Sequence, residues 1–450
     1  AFNNFDTALY TAWKCPSIVK INVAKGTYVP KRLPYNMNTS KIGTPITSTN
    51  NRNKTFHIRT GLTIEGGYAT GGASRNISAN PTVFNGGGVG GVSTDSAYHV
   101  AIIFHTSNWT PSTDTTVVDG IIFKNGIANG SNSITIDGVN NFSQNGGAAL
   151  RVLKGNTKLI NCTIQNNNTT GAGALDADCN YILVENCVVK NNVASTGAGL
   201  FLWTPNMAKI SNCNITSNTT TSNGGVGINA NSPNQIIIEH CSITNNIANY
   251  GDGGGVLIEN PTNVQINHCN ILNNISNNGS GGGVKIYNST ATTISNCIIL
   301  NNTCRNYGGG IHIDNGNFTV FNNVFSQNTA NAEGGGINVA YSNATTQIYN
   351  NTFYQNYSPN GAGIFIYTNT TDLKNNLFEG NSKSGSTTAI GADFQTGGIC
   401  TNTFNNNMLQ LAGTSSYTST SDNELASGSA NNIFATSPLF LNTSNLIGTD

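Results

Sequence analysis

The segment 281–302 contains Gly-Gly-Gly-Val-Lys-Ile-Tyr (281–287), followed by Asn-Cys-Ile-Ile-Leu-Asn-Asn (296–302). Each stretch holds a short apolar run of four or five residues without the 3.6-residue period of a helix, which indicates a β-strand. Gly and Asn border both runs, and these residues favour tight turns because they tolerate left-handed backbone geometry. The segment is therefore predicted to form short strands separated by sharp corners.

The same two stretches recur along the chain every 25–28 residues. The Cys position of the second stretch is occupied in turn by Cys162, Cys187, Cys213, Cys241, Cys269, Cys297, Asn323, Asn351 and Asn376. The apolar residue after each Gly corner is Leu175, Leu200, Ile228, Val256, Val284, Ile311, Ile337 or Ile364. Three short strands and three corners in each repeat predict one coil of a parallel β-helix.

The composition limits the possible functions. The 450 residues include 20 Lys+Arg and 20 Asp+Glu, so the formal net charge is zero and only 9% of the residues are charged. Binding to nucleic acid is not expected, because phosphates are normally contacted through many Lys and Arg side chains. No apolar run approaches the roughly 20 residues of a membrane span. Polarity comes instead from 76 Asn and other uncharged side chains.

Stacking of coils explains the excess of asparagine. Neighbouring coils lie about 4.8 Å apart, so residues at the same phase form a column along the solenoid. An Asn amide in such a column can bond the equivalent amide of the next coil. The predicted column comprises Asn167, Asn192, Asn218, Asn246, Asn274, Asn302, Asn328, Asn356 and Asn381. The repeated cysteines are likewise predicted to form an inward column of reduced, buried thiols rather than a metal site.

Residues 325–328, 353–356 and 378–381 fit an FxxN signature, and Gly-Gly-Gly-Ile occurs at 308–311 and 334–337. Because the FxxN and Gly-Gly-Gly-Ile motifs alternate, the repeats resemble those of the polymorphic outer-membrane-protein adhesins. The amino-terminal third resembles that of large secreted right-handed β-helix proteins of the Bacteroidetes surface type, which often continue into an anchoring or sorting domain. The resemblance implies an all-β, right-handed parallel β-helix of about 13 coils in a secreted or cell-surface bacterial protein.

The chain is expected to form a single domain. Its predicted parts are 1–28 (cap and first strand), 29–56 and 124–146 (protruding loops), 147–410 (regular coils) and 411–450 (loop and C-terminal strands). Apolar spacing over residues 4–13, with Asp6 in the first turn, predicts a capping helix. Such a helix would cover the open end of the solenoid, which otherwise invites edge-to-edge pairing. The chain begins without an export signal, so any signal is expected to have been removed.

Function is expected on the outward side of the strand after each Gly corner, where two columns of residues lie. The first column is Asp176, Phe201, Asn229, Leu257, Lys285, His312, Asn338 and Phe365. The second is Asp178, Trp203, Asn231, Glu259, Tyr287, Asp314, Ala340 and Tyr367. Aromatic rings stack on sugars and carboxylates bond hydroxyls. The predicted ligand-binding residues are Asp178, Trp203, Glu259, Tyr287, Asp314 and Tyr367.

The same face leaves an enzymatic interpretation open. Glu259 and Asp314 lie two coils apart, roughly 9–10 Å between backbones, which is near the separation in an inverting glycosidase. A polysaccharide lyase would instead use Tyr287 or His312 as its base, with Lys285 offsetting a uronate carboxylate. A third interpretation is a solvated face that binds nothing.

Other motifs are assigned structural roles. His240 and His268 replace Asn at one corner in adjacent coils, where an imidazole can donate and accept as an amide does. The Gly-Gly-Gly runs do not precede a helix, so phosphate binding is not expected. Asp176 and Asp178 face outward together and could contribute to a cation site, but two carboxylates without further ligands are weak evidence for one. No metal and no cofactor are predicted.

These observations predict a non-enzymatic, extracellular surface or adhesin-type protein. Its expected partner is polysaccharide or the surface of a host or neighbouring cell, with end-to-end self-association as a further expectation. A polysaccharide lyase or glycoside hydrolase acting on the same face is the alternative.

Overall fold

A computed structural model of the chain shows a parallel β-solenoid preceded by one helix. The structure describes residues 4–36, 44–72, 74–89, 95–104, 112–136, 139–222, 224–340, 345–367, 370–383, 393–397, 401–410 and 433–435. Cys400 and most of the predicted segment 411–450 therefore lie outside the described residues.

Each regular coil contains four short strands in a fixed order, one more than the three that the sequence predicted. One coil consists of Leu175–Asp178, Tyr181–Glu185, Val188–Lys190 and Val193–Ala194. Each of these four strands pairs in parallel with the equivalent strand of the next coil, in register and without a bulge. The four positions therefore build four ladders along the solenoid, which we number ladder 1 to ladder 4 in chain order.

Ladders 1 and 2 merge through two long strands, Val284–Ser295 and Ile311–Phe321, that belong to both. The other strands of ladder 1 are Phe56–Arg59, Ala101–Phe104, Leu150–Leu153, Leu175–Asp178, Leu200–Trp203, Ile228–Asn231, Val256–Glu259, Ile337–Ala340, Ile364–Ile366 and Phe394–Thr396. Those of ladder 2 are Lys20–Ala24, Thr63–Tyr68, Ser112–Asp119, Gly155–Ile160, Tyr181–Glu185, Met207–Ser211, Gln235–Glu239, Asn263–Asn267, Thr345–Tyr349, Thr370–Lys374 and Thr401–Asn405.

Ladders 3 and 4 form separate sheets. Ladder 3 contains Gly26–Tyr28, Thr82–Asn85, Ile121–Lys124, Thr163–Gln165, Val188–Lys190, Asn214–Thr216, Ser242–Thr244, Asn270–Leu272, Ile298–Leu300, Val324–Ser326, Thr352–Tyr354, Leu377–Glu379, Met408–Gln410 and Ile433–Ala435. Ladder 4 contains Ile127–Ala128, Asn168–Thr169, Val193–Ala194, Thr219–Thr220, Ile247–Ala248, Ile275–Ser276, Thr303–Cys304 and Thr329–Ala330.

The three sheets differ in extent. The merged sheet has 23 strands and ladder 3 has 14, whereas ladder 4 has eight. Within the described chain, complete turns with all four ladders therefore number about eight, and the predicted count of about 13 coils is not matched. The sequence count included stretches near both ends of the solenoid in which the described residues form no ladder 4 strand.

The asparagine column stabilises the corner between ladders 3 and 4. Asn246 is fully buried, and its Oδ1 accepts hydrogen bonds from the backbone N–H and the Nδ2 of Asn218, at 3.1 and 3.0 Å. Its Nδ2 donates to the carbonyl of Ile215 and to Oδ1 of Asn274, both at 3.0 Å. The same bonds link successive members from Asn167 to Asn381, so the predicted amide ladder is confirmed.

The cysteine column lies inside the solenoid, at the corner between ladders 2 and 3. All of its thiols are buried, and the nine described cysteines are free. The Sγ of Cys187 accepts from the backbone N–H of Cys162 at 3.4 Å. From Asn323 onward amides replace the thiols, and Asn323 Nδ2 donates to Oδ1 of Asn351 at 3.0 Å. Both residue types suit a corner that water does not reach, because each satisfies polar groups of its neighbours.

The helix Phe5–Lys14 covers the first coil, as the apolar spacing predicted. Asn4 caps it by accepting from the backbone N–H of Thr7, at 2.7 Å. The ring of Phe5 packs against Phe84 and Phe56 of the first coils, with centroids 4.6 and 5.0 Å apart. No described helix is long and apolar enough to cross a membrane.

An antiparallel hairpin, Ser133–Ile136 and Val139–Ser143, lies within the segment 124–146 that is expected to protrude. Its apolar residues pack with those on the outward side of the first strands of ladder 1. The cluster comprises Ile102, Phe104, Ile134, Ile136, Phe142 and Leu153. The outward face of ladder 1 is thus covered in the early coils.

Candidate functional site

The two outward columns of ladder 1 differ in exposure. Most residues of the first column are buried, including Phe201, Asn229, Leu257 and His312 at 2–4% exposure. The corner that precedes each strand folds over them. Gly253 shows why this corner needs glycine, because its φ is +64° and an added Cβ would lie 2.8 Å from Cβ of Leu257. The second column lies beyond the corners and remains accessible.

A groove of about 650 Å³ runs across three coils of this face. Its floor is formed by outward residues of ladder 1, and its wall by the corners between ladder 4 and ladder 1. The lining comprises Ser195, Thr196, Phe201, Trp203, Ser222, Gly224, Asn229, Tyr250, Gly251, Asp252, Leu257, Glu259, Asn278, Gly279 and Asn306. Two of the predicted ligand-binding residues, Trp203 and Glu259, therefore line one groove.

Unequal corner lengths create the wall of the groove. Each of these corners runs from the end of a ladder 4 strand to a glycine with a positive φ. One corner comprises only residues 195–196, whereas the corners two and three coils later comprise 249–252 and 277–280. The longer corners carry Tyr250 and Asp252, which the periodic pattern did not single out. The signal for these residues was the longer 28-residue spacing of the central repeats.

Exposed aromatic side chains concentrate beside the groove. Among the described residues, the large aromatic side chains that remain exposed are Trp203, Tyr250, Tyr287 and Tyr307. Trp203 and Tyr287 belong to the second column, and Tyr250 and Tyr307 to the corners. Tyr250 is the most exposed of the four, at 64%. The four exposed rings therefore lie on one face of the solenoid.

The predicted carboxylates lie in register along the second column. Glu259 pairs with Tyr287, and Tyr287 pairs with Asp314, in adjacent parallel strands. Burial raises the pKa of Glu259, while Lys285 lowers it and Asp252 raises it further. Burial also raises the pKa of Asp314, with the same two opposing charges. Both carboxylates thus hold protons more readily than ordinary surface acids do.

A polysaccharide lyase would need Lys285 and His312 to be accessible to its substrate. Both residues of the first column are less exposed than this role requires. The Nζ of Lys285 lies 2.8 Å from Oδ2 of Asp252, and its side chain is 15% exposed. His312 is 3% exposed, and its Nδ1 lies 2.9 Å from Oδ1 of Asn338. Burial lowers the pKa of His312 to about 3. The ammonium is thus already paired, and the imidazole lies beneath the surface.

Asp176, Asp178 and Tyr367 do not line the groove. Asp178 is paired with Lys154 at 2.7 Å, and the buried Asp176 is paired with Arg151, so cations of the protein offset this acidic pair. Tyr367 is half-buried and lies beyond Ala340, farther along the second column. All six predicted ligand-binding residues thus lie along the second column, with Asp178 directly beside Trp203, but only Trp203 and Glu259 line the groove.

The paired corner histidines occupy the structural position that the sequence assigned to them. His240 and His268 have φ values of 52° and 51°, as do the asparagines at the equivalent corners. Their rings stack with centroids 4.9 Å apart. No group of three or more potential metal-ligating side chains is present in the described part of the chain.

Comparison with known proteins identifies the family. The model of the right-handed β-helix region matches residues 100–253 and 254–429, which together cover well over half of the chain. Searches of curated proteins and of solved structures gave no match. Regions of this kind occur in many polysaccharide-acting and surface proteins. With four parallel ladders built from one repeated coil, the chain belongs to the right-handed β-helix family.

Proposed function

We propose that this protein binds glycan non-enzymatically through the groove on ladder 1. The observation that supports this proposal is the clustering of Trp203, Tyr250, Tyr287 and Tyr307, the exposed aromatic rings of the described chain, on one face. Such rings stack on the apolar faces of sugars, and the nearby carboxylate of Glu259 can accept hydrogen bonds from sugar hydroxyls. The groove crosses several coils, which suits a polymer rather than a small ligand.

The proposal places the protein outside a bacterial cell, secreted or displayed on the surface, where polymeric glycan is available. The adhesin-like repeats at 308–311 and 325–328 point in the same direction. The partner would be a free polysaccharide or the glycan coat of a host or neighbouring cell. End-to-end self-association remains a separate prediction, because the residues at the carboxyl-terminal end lie outside those described.

Glycoside hydrolysis is the second candidate function. It is favoured by Glu259 and Asp314, whose raised pKa values suit a carboxyl group that donates a proton. They lie two strands apart, roughly 9–10 Å between backbones, near the range of inverting enzymes. Lyase chemistry is less well supported, since Lys285 is bonded to Asp252 and His312 is buried.

Incubation with a panel of polysaccharides separates these functions. We expect retention of the protein on at least one polymer, with no release of reducing ends and no absorbance from unsaturated products. Release of reducing ends would instead establish hydrolysis, and unsaturated products would establish a lyase. Failure to be retained by every polymer would contradict the proposal.

Replacing Trp203 by Ala is expected to weaken glycan retention roughly 10- to 100-fold. The ring is 40% exposed at the groove and packs edge-on against Phe201, which holds it in place. Loss of a central aromatic contact commonly reduces affinity by this amount. Affinity electrophoresis in gels containing the retained polymer measures the effect.

The matched control is Tyr354→Ala, because Tyr354 is a half-buried aromatic residue of ladder 3, on a different sheet. Its retention should equal that of the unmodified protein. Equal losses from the two substitutions would show that the ladder 1 groove is not the binding surface.

A further inference from the structure

The groove on ladder 1 is lined by acidic side chains without basic ones, and it contains a hydrogen-bond acceptor without a donor. Its charged lining residues, Asp252 and Glu259, are both acidic. Asp314 extends the acidic character along the second column, in register with Glu259 across Tyr287. The charged side chains that a ligand meets in the groove are therefore acidic.

The cations near the groove are already bonded. The Nζ of Lys285 lies 2.8 Å from Oδ2 of Asp252, beneath the corner. At the rim, the guanidinium of Arg305 donates from Nη1 to Oδ1 of Asn278, at 2.9 Å. An incoming carboxylate would have to compete with Asp252 for the Lys285 ammonium while approaching Glu259. Like charges brought together in this way weaken binding.

The floor of the groove also contains a buried acceptor that lacks a donor. Asn229 is 2% exposed, and its Nδ2 donates to Oγ1 of Thr196 at 3.1 Å. Its Oδ1 has no hydrogen-bond partner within the protein. Buried polar atoms are normally bonded, so an acceptor in this position favours a ligand that donates a hydrogen bond. Sugar hydroxyl and ammonium groups donate, whereas a carboxylate only accepts.

We propose that the groove selects neutral or amino-sugar glycans and discriminates against uronates. This inference rests on the proposed glycan-binding function, and it adds the chemical class of the ligand. The selecting groups are the carboxylates of Asp252 and Glu259 and the unpaired acceptor of Asn229. Lys285 holds Asp252 in place and does not serve as a receptor for an acidic sugar.

The test compares retention of the full chain on three classes of polymer at low salt. The classes are neutral polymers (cellulose derivatives, xylan, galactan), an amino-sugar polymer (chitosan) and uronates (polygalacturonate, alginate). Methyl-esterified polygalacturonate provides a matched control, because it keeps the backbone and removes the charge. We expect retention on neutral or amino polymers to exceed that on uronates by on the order of tenfold or more, with the difference shrinking as salt increases.

Two variants report on the mechanism of selection. Asp252→Asn releases the Lys285 ammonium, and Glu259→Gln removes an accessible negative charge. Each should increase retention on polygalacturonate relative to its methyl ester, by roughly fivefold. Circular dichroism would establish that both variants fold.

The outcomes distinguish this inference from the proposed function. Stronger retention on uronates than on neutral or amino polymers would overturn the inference and leave glycan binding intact. The inference would also be overturned if neither variant changed the ratio between polygalacturonate and its ester. Absence of retention on every polymer would overturn the proposed function and the inference with it.

Discussion

Replacing Asn246 by Ala is expected to lower the free energy of unfolding by about 3–5 kcal/mol. The substitution removes two hydrogen bonds that Asn246 accepts from Asn218 and two that it donates, to Ile215 and Asn274. The backbone N–H of Asn218 is then left buried without its partner. Each buried group that loses its partner costs about 1–3 kcal/mol, and the lost volume adds to this.

Asn277→Ala is the matched control, because Asn277 lies one coil from Asn249 and donates to it at the surface, at 3.2 Å. Its loss should change stability by less than about 0.5 kcal/mol. Denaturant unfolding followed by circular dichroism measures both effects. Hydrogen exchange at the amides of neighbouring coils shows whether the loss is local, because stability in a solenoid depends on contacts between neighbouring repeats. Equal effects of the two substitutions would contradict the structural role of the amide ladder.

Acidification is expected to destabilise the fold through its buried histidines. Burial lowers the pKa of His57 to about 3, that of His99 to about 4 and that of His312 to about 3, from an ordinary value of 6.5. Above pH 6.5 both folded and unfolded chains hold these imidazoles neutral. As the pH falls from 6.5, the unfolded chain takes up protons that the folded chain does not, and stability is lost. At pH 4.5 the loss is about 2–3 kcal/mol for a group such as His57.

His57 shows the physical cause of this effect. Its Nδ1 accepts from the backbone N–H of Tyr35 at 3.1 Å, and its Nε2 is buried without a partner. The ring also packs against Trp13 and lies parallel to Tyr35. A proton on Nδ1 would break the bond to Tyr35 and place a charge in an apolar site. The neutral form is therefore strongly favoured.

His312→Asn provides the test, because asparagine already occupies the same column at Asn229 and Asn338. Unfolding of both proteins by denaturant is followed at pH 7.0, 5.5 and 4.5. The variant should lose less stability than the unmodified chain over this range, by about 2–3 kcal/mol at pH 4.5. Comparing the two proteins cancels the opposite contributions of Glu259 and Asp314, whose raised pKa values favour folding as the pH falls. Parallel pH profiles would contradict the assigned burial of His312.

Periodicity explains why most of the fold was predictable from the sequence. Residues such as Asn246 and Cys187 recur at one phase because each must bond or pack against its copy in the next coil. The register of Glu259, Tyr287 and Asp314 followed from the same rule. A strand that is paired on both sides has little freedom to adopt a conformation or register different from that of its neighbours.

The wall of the groove was not predictable, because corners are not constrained by stacking in the same way. Tyr250 and Asp252 lie in a corner two residues longer than that at 195–196, and the extra residues change what covers the strand beneath. The burial of His312 under such a corner was missed for the same reason. The predicted count of coils is not matched because, among the described residues, coils near the ends contain a ladder 3 strand without a ladder 4 strand.

Hydroxyl-radical footprinting with the most strongly retained polymer tests most directly whether the groove on ladder 1 binds glycan. Radicals modify exposed aromatic rings, so a bound polymer should protect Trp203, Tyr250, Tyr287 and Tyr307. Tyr354 of ladder 3 should be modified at the same rate with and without the polymer. Unchanged modification of all four rings in the presence of bound glycan would contradict the assignment of this face as the binding surface.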